Sequence, residues 1–199
     1  MLPLVAYLFF ASGVNNFAKL PVLKENVLSI SDYSKVDLNK KISILFFLGS
    51  NIEDRQGDAL NMNQKIYKRF YDFEDFQFVV ICPLESEQLA DDLKNKLEMG
   101  TNTDMRKWNF VFLDPNIIEE VFNSLNTNTN LDQYSGSPYV YIVDKKRSLR
   151  GRNDDDGIKF GYDSRSVADI NNFMVDDVKV ILAEYRLALK KNGITRKDL

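Results

Sequence analysis

Residues 42–58 read ISILFFLGSNIEDRQGD, an apolar run, a Gly-Ser-Asn break, and then the opening of a polar, helix-like pattern. The run from Ile42 to Leu48 is flanked by Lys40 and Lys41 on one side and Gly49 on the other. A strand that is apolar at successive positions is covered on both faces, which calls for a sheet sandwiched between helices. Beyond the break, residues 58–71 (DALNMNQKIYKRFY) place Met62, Ile66 and Phe70 at helical spacing, with Tyr67 and Tyr71 alongside. Strand, turn and helix follow one another within thirty residues.

The same unit recurs. FQFVVIC, 76–82, is a second buried strand, stopped by Pro83, which cannot donate to a sheet ladder. A helix from Ser86 to Leu97 follows, with Leu89, Leu93 and Leu97 as its apolar stripe. WNFVFL, 108–113, is the third strand, and Asp114 with Pro115 supplies a cap and a first-turn proline for a short helix bearing Ile118, Val121, Phe122 and Leu125. After the polar loop NTNTNLDQYSGS comes PYVYIVDKKRSLRG, which reads as a strand, a lysine-rich turn and a paired strand; NDDDG is a second turn and IKFGY a further short strand. Ser166 and Asp169 make a capping-box-like start to a long helix carrying Ile170, Met174, Val178, Ile181 and Tyr185. Lys190 and Lys191 complement its dipole and Gly193 closes it. Alternating strands and helices imply parallel pairing, and a terminal hairpin adds antiparallel strands. The expected class is α/β: a thioredoxin-like mixed sheet flanked by helices.

Composition bounds the chemistry. A chain of 199 residues with 44% hydrophobic and 28% charged residues builds one core and has no room for two. The net charge of -3 gives no general electrostatic reason to bind nucleic acid or anionic lipid. There is no histidine, and Cys82 is the single cysteine. An intramolecular disulfide and a two-cysteine redox cycle are therefore impossible, and the commonest zinc and copper ligands are nearly absent. No cofactor is expected.

The chain begins MLPLVAYLFFASGV, apolar and uncharged for fourteen residues before Asn15 and Asn16. As a helix this run would measure about 21 Å, short of a hydrocarbon core of roughly 30 Å. It reads as part of a membrane anchor, as a signal-peptide core without its basic leader, or as a buried helix. Pro3, Tyr7, Phe9 and Phe10, with nothing polar to form a solvent face, favour the anchor. The expected organisation is an anchor or signal-like helix over 1–18, a connector with an irregular strand or two over 19–41, and one domain over 42–192.

FQFVVICPLES, WNFVFLDPN, YVYIVDKKRSL and the closing VDDVKVILAEY resemble, in order and spacing, the Sco (SenC-like) family of copper-delivery proteins. The resemblance covers roughly residues 20–190. It implies a membrane-anchored thioredoxin fold acting in cytochrome oxidase maturation, with copper held by a Cys-x-x-x-Cys after the first core strand and a histidine before the hairpin. Here those cysteine positions fall near Ser50 and Asp54 in the loop GSNIEDR, and the histidine position near Gly136 or Ser137. Cu(I) needs soft thiolates and Cu(II) is well served by imidazole, so Gly49, Ser50, Asn51 and Asp54 read as a vestigial active-site loop. In thioredoxin-like domains a proline with a cis peptide bond faces this loop, which predicts a cis Ser137–Pro138 bond; the alternative is a trans proline that begins a strand.

Other candidates are weaker. Cys82 could serve as a single-thiol nucleophile, but at the end of an apolar strand it reads as a small core residue. Asn153 to Gly157 invites a calcium reading, yet Arg152 would hold the first ligand position, so a solvated hairpin turn fits better. Glu53, Asp54, Arg55 and Asp58 form a surface ion cluster, with Asp58 a helix cap. Trp108 and the phenylalanines lie on strand or helix periods and read as core. The functional expectation is a non-catalytic, single-pass inner-membrane protein with its domain on the periplasmic side. It would assist assembly of a respiratory oxidase and meet oxidase subunits or maturation factors through Glu53, Arg55, Gly136, Ser137 and Pro138. The alternatives are a single-thiol redox enzyme using Cys82, or a periplasmic scaffold unrelated to respiration.

Overall fold

The computed structural model describes residues 19–191; the expected anchor over 1–18 and the closing Gly193 lie outside the described residues. The first strand, β1 (Val22–Lys24), is followed by the central strand β2 (Ile42–Phe47), whose six residues are all buried. Its alternating side chains feed two cores: Ile44 and Phe46 enter one, Leu45 and Phe47 the other. Two parallel strands extend the sheet from β2: β3 (Phe76–Pro83) and then β4 (Trp108–Leu113). On its other side β2 pairs antiparallel with β5 (Tyr139–Val143), which turns back into β6 (Leu149–Arg150). The order is β1-β6-β5-β2-β3-β4, with a short strand, β9 (Tyr162–Asp163), also paired to β5. The strands β7 (Arg152–Asp154) and β8 (Gly157–Lys159) form a separate ribbon.

Three helices cover one face. The helix α1 runs as Gln56–Met62, a π-helical turn Asn63–Tyr67, and a last turn Lys68–Phe70. Next comes α2 (Glu87–Thr101); the C-terminal helix, here α4, runs through Val167–Asp169, a π-helical turn Ile170–Met174, and Val175–Lys191. From α1, Met62, Ile66 and Phe70 are buried as their spacing predicts. On α2 the buried face is Ala90, Leu93 and Leu97, whereas Leu89 is exposed, because the helix turns the 90-93-97 stripe inward and rotates its neighbour out. Ser166 caps α4 by accepting from the Asp169 N–H at 3.1 Å, but the Asp169 carboxylate bonds Lys159 and the Asp163 N–H instead of closing the box.

Among the described residues the opposite face has a single helix, α3 (Pro115–Ser124), contributing Ile118, Val121 and Phe122. The rest of its cover comes from the stretch expected to be a connector: Val27, Ile30 and Leu38 are fully buried against it. Val27 is fixed there by its N–H to the Arg147 carbonyl at 2.8 Å. Asn153 to Gly157 is the turn of the β7–β8 hairpin, with Gly157 at φ +108° and the Asp156 N–H on the Asp154 carboxylate. Among the described residues, no helix is long and apolar enough to cross a membrane.

Two glycines give opposite forecasts. Gly49 sits at φ +74°, and a Cβ there would lie 2.5 Å from the Tyr134 carbonyl oxygen. Gly49→Ala should therefore destabilise by about 2 kcal/mol or more in urea unfolding. Gly57 lies in the first turn of α1 with open space where a Cβ would go. Gly57→Ala should stabilise by about 0.5–1 kcal/mol in the same assay.

Candidate functional site

The loop that leaves β2 and the segment that enters β5 close on each other through backbone atoms. Ser50 N–H donates to the Tyr134 carbonyl at 2.9 Å, and Ser137 N–H to the Phe47 carbonyl at 2.8 Å. Gly136 is also close from the other side, though less so, since a Cβ there would lie 3.0 Å from both the Leu48 carbonyl and Arg55 Nε. Ile52, buried in the core beneath, anchors the loop from below.

Asp132 organises the second segment. One carboxylate oxygen accepts the N–H groups of Tyr134 and Gly136, each at 2.9 Å, which bends the chain into a tight turn with Ser135 at φ +59°. Its other oxygen takes Arg55 Nη2 at 2.6 Å, and Arg55 also faces Asp58 at 3.8 Å. Burial alone would raise the Asp132 pKa, but the Gly136 N–H, the Arg55 guanidinium and the Tyr134 N–H together hold it below the usual carboxylate range. Asp58 goes the other way: burial pushes its pKa up, and the attraction of Arg55 and Arg165 only partly offsets this. Asp58 is not the helix cap expected from sequence; α1 starts after Arg55, so Asp58 falls inside the first turn.

Around this ion pair lies an open cleft of about 680 Å³, lined by Asn51, Asp54, Arg55, Asp58, the 130–134 segment, Pro138 and Arg165. Asn51 donates to Asp54 at 2.7 Å, and Arg165 is clamped on Asp163 at 2.9 and 2.7 Å. The structure thus brings Gly49, Ser50, Asn51, Asp54 and Arg55 into one place with Gly136, Ser137 and Pro138. Glu53 is exposed at the same loop, while Ser137 is fully buried, its hydroxyl accepting the Tyr139 N–H at 3.1 Å.

The expected cis bond before Pro138 is corrected: every peptide bond among the described residues is trans. The trans geometry is satisfied on both sides, by the Ser137 N–H on Phe47 and by the Pro138 carbonyl accepting from Ser164 N–H and Oγ at 2.9 and 2.7 Å. Pro138 then leads directly into β5. Asp132, Asp163 and Arg165 had no part in the sequence reading. The available signal was the Asp followed by a Ser-Gly pair in DQYSG, a pattern suited to a side chain that bonds the backbone two and four residues on.

Cys82 is not in the cleft. It is fully buried on β3, in register with Phe112 of β4, and its side chain joins the core under α1, α2 and α4. Burial pushes its thiol pKa far up, the reverse of what a reactive thiolate needs.

No protein-family model matches the sequence, and no curated protein does. Solved structures do. BsSco, a member of the Sco family of cytochrome c oxidase assembly proteins, aligns with a TM-score of 0.51 at 15% identity over 80% of this chain and 97% of that one. A candidate protein disulfide isomerase from Bacteroides thetaiotaomicron aligns with a TM-score of 0.50 at 12% identity over 83% and 95%. The fold is thioredoxin-like. At such identities the likeness concerns the backbone, so the chemistry must be read from the residues themselves.

In this thioredoxin-like chain the loop pair offers hydroxyl, amide and carboxylate groups, several already bonded to one another, and no sulfur or imidazole. Among the described residues, no cluster of three or more His, Cys, Asp or Glu is placed to hold a metal.

The two acids make opposite predictions for stability against pH. Because the folded-state pKa of Asp132 is lowered, its contribution is fully present above the ordinary aspartate pKa of about 3.9 and is lost as pH falls through the folded value. Asp132→Ala should cost about 1–2 kcal/mol at neutral pH, with the gap to wild type closing in acid. The pKa of Asp58 is raised, so its contribution is present below the ordinary value and lost as pH rises through the folded one. Asp58→Asn should stabilise modestly at neutral pH and have no effect in acid. Urea titrations at several pH values read both.

Proposed function

We propose that this is a Sco-like protein that has exchanged soft-metal and dithiol chemistry for recognition of a partner at the same face. One observation carries the reading: the loop pair that frames the site is held by Arg55–Asp132 and by backbone hydrogen bonds, and the positions near Ser50, Asp54 and Gly136 or Ser137, where the resemblance would put sulfur and imidazole, carry neither. The likeness of the backbone to BsSco supports the scaffold. We infer that residues 1–18 anchor the chain in a bacterial inner membrane with its domain on the periplasmic side. We infer also that the partner is a subunit or maturation factor of a respiratory oxidase, reached through Glu53, Arg55, Gly136, Pro138 and the exposed Tyr134.

The alternative of a single-thiol enzyme needs Cys82 to reach a substrate. Its full burial and raised pKa argue for a packing role. The native protein should react with a neutral alkylating reagent only at its unfolding rate, and reaction within seconds at neutral pH would restore the enzyme reading. Purified protein titrated with Cu(I) against a competing chelator should retain no stoichiometric metal.

The partner reading is tested by affinity purification from solubilised membranes with quantitative mass spectrometry. Oxidase subunits or maturation factors should be enriched with the native chain and reduced at least about fivefold with the exposed-face variant Glu53→Lys/Tyr134→Ala. Enrichment of neither class by the native chain would refute the respiratory assignment.

A further inference from the structure

Among the described residues the sheet ends in β4, which pairs there only with β3. Phe78 N–H donates to the Lys107 carbonyl at 2.8 Å, and this sets the phase of the ladder. Odd-numbered residues of β4 turn their backbone groups toward β3, and even-numbered ones turn them away. The N–H groups of Phe110 and Phe112 and the carbonyls of Trp108, Phe110 and Phe112 therefore point out of the sheet, with no partner strand among the described residues.

Nothing in this strand blunts its edge. WNFVFL contains no charge, proline or glycine, and its register with β3 runs without a bulge. Phe110 and Phe112 lie half-buried on one face, their rings parallel to within 9° at 6.4 Å. Their carbon surface is only partly removed from water.

The flanking charges choose the occupant. Arg106 precedes the strand and Asp114 follows it. Arg106 is 59% exposed and only loosely held, by Asp104 at 3.5 Å and Asp72 at 4.0 Å. Asp114 is exposed, and no ion pair reaches it among the described residues. An antiparallel copy of the same strand centred on Phe110 places outward-facing backbone groups opposite outward-facing ones. It sets Phe110 against the partner's Phe110, Trp108 against the partner's Phe112, and Arg106 against the partner's Asp114, each offset pair occurring twice by symmetry. Parallel self-pairing would instead bring like charges together.

We propose that the chain forms a twofold dimer by antiparallel pairing of β4 with β4 of a second copy, joining the two sheets edge to edge. Hydrogen bonds from the outward backbone groups hold the strands, and cross-strand aromatic pairs cover Phe110 and Phe112. This interface is independent of the loop face and of its partner.

Sedimentation velocity of the full chain in mild detergent, over a concentration series, tests it. The native chain should show a reversible monomer–dimer equilibrium. Arg106→Asp and Asp114→Arg alone should each weaken it about tenfold, and the double swap should recover it, since the swapped charges are again complementary. Phe110→Pro removes only an outward N–H from the ladder and should leave a folded monomer, with folding checked by circular dichroism. A native chain that stays monomeric at the highest concentration reached overturns the proposal. So does a dimer indifferent to both single swaps and to Phe110→Pro, or a double swap that fails to recover while both single variants fold.

Discussion

The contact on which the site depends is the approach of two backbones, the loop after β2 and the segment before β5, at a distance only glycine allows. Gly49 meets the Tyr134 carbonyl and Gly136 with no space for a side chain, and Gly136 in turn lies close to Leu48 and Arg55. Once these atoms touch, the direction of every side chain at this end of the sheet follows. Arg55 is delivered to Asp132, Asp132 can spend its second oxygen on the turn, and Asn51, Asp54 and Pro138 are left around an open cleft.

The ion pair adds definition to that closure. Arg55 is largely buried while Asp132 is more exposed, so screening by water limits what their attraction contributes. The larger effect is geometric. Asp132 satisfies two backbone donors that a turn would otherwise leave bare, and the same device recurs at Asp144, whose carboxylate accepts the Lys146 and Ser148 N–H groups in the β5–β6 hairpin. At Asp144 the second oxygen takes the buried Arg150, which also reaches Glu184 on α4 and the Leu20 carbonyl. A buried guanidinium with partners on three elements makes those elements interdependent, since removing one partner leaves a buried N–H donor unsatisfied. The segment before β2 is thereby part of the domain.

That segment shows where the sequence stopped being legible. The strands 42–48 and 76–82 were readable because burial on both faces writes a continuous apolar run, 108–113 because its aromatic and β-branched residues form a short apolar run before Asp114-Pro115, and the order of elements followed from their alternation with helices. Residues 19–41 carry their buried positions at irregular intervals, Val27, Ile30 and Leu38, so no period announced that they replace a helix on the second face. The π-helical turns in α1 and α4 were invisible for a similar reason: an inserted residue shifts the stripe without changing composition. At the site, the composition of the loop could be read directly from Ser50, Asn51 and Asp54. The pairing of Arg55 with a residue 77 positions away could not, because long-range ion pairs leave no local pattern. Pro138 was misread for the opposite reason, an expectation about fold overriding the local bonds that favour a trans peptide.

A loop pair built this way holds its shape through contacts that need neither sulfur nor imidazole. Coordination or a disulfide can fix two loops only while the sulfur and imidazole groups are present. Glycine contacts, backbone hydrogen bonds and a carboxylate-stapled turn make no demand on those groups, so the geometry does not depend on them. The face then presents amide, carboxylate and guanidinium groups around an open cleft, with Tyr134 exposed beside them. Such groups bind by hydrogen bonding and charge complementarity, which suit a protein surface better than a soft metal ion. With the one thiol sealed in the core, these are the groups on which the proposed partner recognition rests.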